Sequence, residues 1–282
     1  MGFESIKKLV DDCYEQGQHW YTGFRYAPSI ASAAGLFFDL SQSPGTPYPN
    51  LYNGTPYTAN AFPAGSGIWH GGNVAPLEKR LHKLSVSSVS AGVVPARLIL
   101  CDFLLYYPYI DISTAGPQNL FNPITLPRYT DGLGVYMFLV SMGAYTGAGS
   151  VWVGYTNSAN VTTNKTGITT LATTNVQGTI VHSGAAAGRS GAFMQIQRCK
   201  GVKYATDIEF SSVSVGMFAL VLARPLAEIK IREIGASCEV DFLLNKNELP
   251  RIYDGAHLNF LIDPNGSMAS TQIIGDMTVI WG

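Results

Sequence analysis

From Leu40 to Leu77 the chain carries no charged side chain, and Asp39 and Glu78 stand at the two ends of the gap. Six prolines (Pro44, Pro47, Pro49, Pro56, Pro63 and Pro76) and several glycines run through it, with the aromatics Tyr48, Tyr52, Tyr57, Phe62 and Trp69. Proline removes a backbone donor and restricts the residue before it, so the segment suits neither a helix nor a long strand. Disordered linkers are rich in charge and poor in aromatics, and this stretch is neither. An extended aromatic segment that cannot solvate itself by charge has to lie against something, either its own domain or a neighbour. Tyr48, Tyr52, Tyr57, Phe62 and Trp69 are therefore the candidate interface residues.

Charge is sparse beyond the gap as well. Asp, Glu, Lys and Arg make up 13% of the 282 residues, about half the roughly 25% of average soluble domains. A surface covered in an assembly would explain this, and so would a β surface built from Ser, Thr, Asn and Gly. The net charge of −1 provides no field to recruit nucleic acid or an anionic membrane. Cys13, Cys101, Cys199 and Cys238 are scattered, with no CxxC and no Cys/His ligand spacing, so zinc is not expected. The N-terminal residues lack the apolar core of a secretory leader, and no apolar run reaches membrane-spanning length. The expected site of synthesis is a reducing cytoplasm.

Residues 4–17 read as a helix, with Ile6, Leu9, Val10, Cys13 and Tyr14 at helical spacing and Gly17 as a stop. Residues 28–40 are ambiguous between helix and strand. After the gap the chain reads as β, with strands expected at 81–90, 96–106, 134–142, 151–156, 178–183, 192–197, 203–213, 216–223, 227–233, 238–244, 257–262 and 271–281. Residues 77–84 also fit a short helix. Asp131-Gly132, Asp254-Gly255 and Pro264-Asn265-Gly266 supply turn chemistry. Many short strands at this spacing predict an antiparallel β-sandwich or jelly-roll body rather than βαβ units.

An internal echo runs through this body. Asp102-Phe103-Leu104-Leu105 precedes Leu126-Pro127-Arg128-Tyr129-Thr130-Asp131-Gly132, and Asp241-Phe242-Leu243-Leu244 precedes Leu249-Pro250-Arg251-Ile252-Tyr253-Asp254-Gly255. The order hints at two related modules or a repeated strand–turn–strand corner. Arg128, Asp131, Gly132, Arg251, Asp254 and Gly255 are read as structural turn residues, with each Arg paired to a nearby carboxylate.

Searches for catalytic and cofactor signatures return nothing specific. No GxSxG elbow is present, and Gly188-Arg189-Ser190-Gly191 has the wrong spacing. His19, His70, His82, His182 and His257 form no metal-binding pair. The glycine-rich run from Gly65 to Gly72 lacks the final glycine of a dinucleotide loop and the Walker lysine, and reads as a turn packed on Trp69. Lys79, Arg80 and Lys83 form a small basic patch that Glu78 and Asp102 can neutralise. No catalytic, cofactor-binding or metal site is assigned, and no enzyme activity is expected.

Residues 34–40 with the following SPGTPYP, Ile68–Gly71, Leu100–Pro108, Leu126–Gly132 and Pro250–Gly255 together resemble virion structural proteins of tailed bacteriophages, of the head-associated or capsid decoration type. The resemblance is one of sequence style and spans most of residues 34–262. It implies jelly-roll or sandwich modules, a homo-oligomer that contacts itself and other virion proteins, and residence in the virion. It also implies no cofactor, no nucleic-acid readout and no membrane partner. The long spine helix of the common tailed-phage shell subunit is missing, which argues against that class. The resulting expectation is an arm over 1–77, made of a short helix and an extended proline-rich segment, and a β body over 78–282 with a candidate division near 190–235. The arm is expected to lie across a neighbouring subunit, and its deletion to leave a folded but assembly-defective body. A tail or baseplate component, a double jelly-roll capsid subunit and a carbohydrate- or receptor-binding β module are the competing expectations.

Overall fold

Two long antiparallel strands organise the molecule, and both are built from near-continuous apolar sequence. In the computed structural model the residues described are 3, 5–29, 32, 35–114, 116–147, 149–184, 191–197 and 200–282. In chain order the strands are β1 (His19–Tyr26), β2 (Phe38–Asp39), β3 (Gly45–Thr46), β4 (Asn60–Ala61), β5 (Lys79–Ser88), β6 (Ala96–Asp111), β7 (Gln118–Asn119), β8 (Tyr136–Ser141) and β9 (Ser150–Asn157). They continue with β10 (Asn164–Lys165), β11 (Thr169–Thr170), β12 (Val202–Phe210), β13 (Met217–Ile231), β14 (Cys238–Asp241), β15 (Arg251–Ile252), β16 (Leu258–Asp263) and β17 (Ile273–Trp281). The helices are α1 (Ile6–Val10), extended by a π turn over Asp11–Glu15, and α2 (Phe242–Lys246).

The strands form three antiparallel sheets. The central sheet runs β2-β16-β6-β13-β8, with β4 added to β6. A second sheet runs β14-β5-β17-β1-β3, with β15 on β5, and a third runs β10-β9-β12-β7, with β11 on β9. The central sheet serves two sandwiches. In its first half Leu98, Leu100, Ile229, Ile231 and Phe260 share a core with Phe24, Tyr26, Leu81, Leu84 and Met277 of the second sheet. In its second half Tyr107, Ile110, Leu139, Phe218 and Leu220 share a core with Val151, Val153, Tyr155, Val202 and Ile208 of the third. Side chains alternate across a strand, so Cys101, Phe103, Tyr106, Phe138 and Val221 point to the opposite face. Phe37, Tyr52, Phe62 and Ile180 cover them there.

The expected β class is observed, with several local differences. The helix covers 6–15 and Gly17 follows it at φ 75. Residues 79–88 are strand rather than helix. The two strands expected at 216–223 and 227–233 are one continuous β13. Residues 238–244 divide into β14 and α2, because the Asp241 carboxylate accepts the backbone N–H groups of Leu243 and Leu244 and starts a helical turn. Residues 178–183 make only isolated bridges, and the described part of 191–197 is not strand. Cys199 and the run 188–190 lie outside the described residues.

The boundary drawn at residue 77 cuts through the fold. Within 1–77, β1 pairs with β17 along its whole length, from His19 opposite Ile280 to Tyr26 opposite Ile273. Leu9 and Cys13 of the N-terminal helical segment pack on Ile280 of the same strand.

Candidate functional site

The uncharged segment lies on the chain's own body. Asn60 and Ala61 pair with Tyr106 and Leu105, and Ile68 donates its N–H to the Leu258 carbonyl at 2.8 Å. Gly67 permits this approach, since a Cβ there would sit 2.7 Å from Leu258 N. Tyr52 is fully buried, edge-on to Phe62 at 5.8 Å and to Tyr106 at 5.4 Å, and Phe62 contacts Phe103 at 5.4 Å. Tyr57 packs partly on the distal core, and its hydroxyl accepts the Asp111 N–H at 3.2 Å. Tyr48 and Trp69 point outward, 89% and 46% exposed. Of the five interface candidates, three are therefore placed on the chain itself and two on its surface.

Asp39, at the start of the gap, is fully buried and has no cation among its described partners. Its carboxylate accepts hydrogen bonds from the Tyr52 hydroxyl and from the Ser41 N–H and hydroxyl. Burial raises its pKa above the ordinary carboxylate range, while these hydrogen bonds partly offset the rise.

The two echoed turns meet at the seam between the sandwiches. Arg128 donates Nε–H to Asp102 Oδ2 at 2.8 Å and Nη2–H to Oδ1 at 2.7 Å, a buried bidentate pair. Asp102 Oδ1 also accepts the His257 backbone N–H at 3.0 Å. Asp131 Oδ1 accepts the Leu133 N–H at 3.0 Å. Gly132 lies at φ 75, and a Cβ there would fall 2.7 Å from the Val202 carbonyl oxygen. In the second copy Arg251 pairs with Glu78 at 3.0 Å and Gly255 lies at φ 74, but Asp241 caps α2 instead of meeting an arginine. Tyr129 and Tyr253 touch edge-on at 4.8 Å, with the Arg224 guanidinium 4.3 Å over the first ring and Arg251 4.3 Å over the second. Clefts of about 400 and 490 Å³ flank this arginine–tyrosine stack.

Carboxylates surround the basic patch, but of the two expected there only Glu78 takes part, because Asp102 is committed to Arg128. Arg80 pairs with Glu78, and Lys83 lies 3.6 Å from both Glu239 and Asp241. Lys79 is buried and lies 2.7 Å from Asp254. His70 Nε2 donates to the Ala256 carbonyl at 3.0 Å, and burial together with Lys79 lowers its pKa to about 4. His257 sits 2.9 Å from the exposed Ser66 hydroxyl, but its other ring nitrogen is buried with no partner and no carboxylate orients the ring. A nucleophile–base–orienter relay needs that third group. Among the described residues no group of three or more His, Cys, Asp or Glu is set to hold a metal.

The outer face of the second sheet holds an open groove of about 460 Å³ with mixed polar and apolar lining. Its lining includes the small residues Ser85, Ser87, Ser237 and Gly23 together with Tyr21, Arg25 and Asp276. Sequence reasoning passed over these residues, although the alternation in His19–Tyr26 puts Tyr21, Gly23 and Arg25 on one face. Trp20, 42% exposed, lies against Gly71 beside the loop that carries Trp69. At the opposite end of the molecule Val213, Val215 and Met217 are exposed in alternation.

No protein-family model and no curated protein matches the chain. Among solved structures it is similar to "Structure of infectious bursal disease virus Gt strain" at TM-score 0.19, and to "Crystal structure of infectious bursal disease virus VP2 subviral particle" at 0.17. Each is 6% identical, and each match covers 93% of this chain and 80% of the other. Superposition this loose carries no argument about function.

Proposed function

We propose that this chain is a structural building block that assembles with copies of itself, as a virion protein of the capsid-associated or decoration type. The observation that carries the reading is an exposed apolar surface on a charge-poor three-sheet body. Trp20, Trp69 and Tyr48, with Val213, Val215 and Met217 at the far end, are large apolar side chains left in solvent. Large exposed apolar area marks interaction surfaces, and burying it between copies contributes roughly 25 cal/mol per Å². In this reading Tyr48 and Trp69 make contacts between subunits, while Tyr52 and Phe62 fix the segment that presents them. The chemistry rests on packing, with no catalytic step and no cofactor. The phage assignment draws only on sequence style, and a tail or baseplate position would use the same surfaces.

The test is the solution mass of the purified chain combined with electron microscopy. Rings, trimers or larger closed assemblies support the proposal. A monomer at every concentration sinks it.

A second reading rests on the Tyr21–Arg25–Asp276 groove, whose lining combines an aromatic ring, a guanidinium and a carboxylate with small residues. That arrangement fits a polyhydroxylated ligand such as a glycan. Specific binding on a glycan array, lost in Tyr21→Ala, supports it; no binding to any glycan ends it.

A further inference from the structure

Strand β13 loses one of its two neighbours part-way along. Its first part lies between β6 and β8, but β8 pairs no further than Ala223. From there to Ile231, opposite Ala96, β13 pairs with β6 alone. Pro225 and the register shift before Ala227 guard the start of this free edge, as prolines and bulges do on other edge strands. The stretch from Ala227 to Ile231 has neither. Its register against β6 is regular, and a cleft of about 510 Å³ opens between it and β14, the edge strand of the second sheet.

Burial fixes which backbone groups face the open side. Ile229 is 3% exposed and Ile231 0%, so their N–H and C=O groups are turned toward β6. Neighbouring residues of a strand point these groups to opposite sides. Those of Glu228 and Lys230 therefore face away from β6, and no backbone group of another described segment bonds to them there. The side chains of Glu228 and Lys230 are both exposed, 3.7 Å apart. On the β6 side Lys230 stands opposite Arg97, a second cation.

We propose that this edge pairs with the same edge of a second copy of the chain, antiparallel about a two-fold axis at Ile229. That register sets Glu228 opposite the partner subunit's Lys230, and Lys230 opposite the partner subunit's Glu228. Moving the axis to Glu228 or to Lys230 would set like charges directly opposite one another, which destabilises a cross-strand pair. Charge thus selects a single register. An edge carrying lysine alone would repel its own copy; the alternation of Glu228 with Lys230 turns that repulsion into attraction. It also gives Lys230 a carboxylate on the side away from Arg97.

The pairing is sterically open. Because β13 ends at Ile231, the partner's strand stops opposite Ala227 and stays clear of β8, whose pairing begins opposite Ala223. The two central sheets become one, the outward backbone groups of Glu228 and Lys230 gain partners, and the self-complementary contact closes as a two-fold pair. This interface presupposes the self-assembly proposed above, but it uses residues other than Tyr48 and Trp69.

Hydrogen exchange and sedimentation of the full-length chain test the proposal. In assembled wild type the amides of Glu228 and Lys230 should exchange slowly, and dilution to the monomer should speed them. Glu228→Lys and Lys230→Glu each turn both symmetry-related pairs from attraction to repulsion. Each should raise the dissociation constant of the two-fold contact on the order of tenfold. The double variant that swaps the two charges should return it to the wild-type value. Assembled wild type whose two amides exchange freely overturns this interface and leaves the assembly reading standing. So does a dissociation constant that the single reversals do not move or that the swap does not restore. A wild type that is monomeric at every concentration overturns both.

Discussion

At the scale of single residues, the Asp102–Arg128 pair is the sharpest case of chemistry that both sequence and structure express. The echo of Asp102 and Arg128 read as an arginine with a nearby carboxylate, and the pair is buried and bidentate. Removing one partner strands the other charge in the interior. Arg128→Met is therefore expected to cost about 3–5 kcal/mol, measured by urea denaturation, and Asp102→Leu added to it should recover part of the loss. Asp39 gives a second test. Its pKa is raised in the folded state, so the native protein holds this proton more tightly than the unfolded chain does. The stability it contributes is present in full below the ordinary carboxylate pKa and is lost as pH rises through the raised value. Asp39→Asn has no such loss, so its urea midpoint should gain on wild type as pH rises above the ordinary carboxylate pKa of about 4. A gap between the two that is independent of pH contradicts the assignment.

At the scale of elements, the uncharged segment shows what sequence can and cannot express. Its missing charge and its aromatics establish that it packs on something; which side of Tyr52 or Tyr48 is covered depends on the sheet beneath it. Phe62→Ala or Tyr52→Ala is expected to cost about 3–5 kcal/mol. Measured on the dissociated chain at low concentration, Tyr48→Ser and Trp69→Ser should stay within about 0.5 kcal/mol of wild type, as surface changes do. Equal losses for all four, by denaturant titration, contradict this placement. The long β13 was hidden by Pro225, which normally interrupts a strand. Here β8 ends opposite Ala223, and β13 shifts register between Pro225 and Ala227, so the missing N–H falls at a free edge and a bulge. The helix at α2 was equally hidden, because Asp241-Phe242-Leu243-Leu244 has the same letters as the strand at Asp102. With no arginine claiming both oxygens, Asp241 keeps Oδ1 for the Leu243 and Leu244 N–H groups while Oδ2 faces Lys83 at 3.6 Å, and so it caps.

At the scale of the whole molecule, the β class and most strand positions were legible from turn residues and apolar runs. The sharing of one central sheet by two sandwiches was not, because it depends on which half of β6 and β13 each outer sheet covers. Nor was the place of β1, whose inner residues Phe24 and Tyr26 become core only through pairing with β17. Deletion of residues 1–77 would remove β1, Tyr52 and Phe62 together. The truncated chain is now expected to lose cooperative unfolding by circular dichroism, rather than to remain a folded body. The central claim is that the exposed aromatics join copies of the chain. Sedimentation equilibrium of wild type beside the Tyr48→Ser/Trp69→Ser double variant tests it most directly. A closed oligomer is expected for wild type and a folded, smaller species for the variant. A wild-type monomer, or an oligomer untouched by the double substitution, would contradict it.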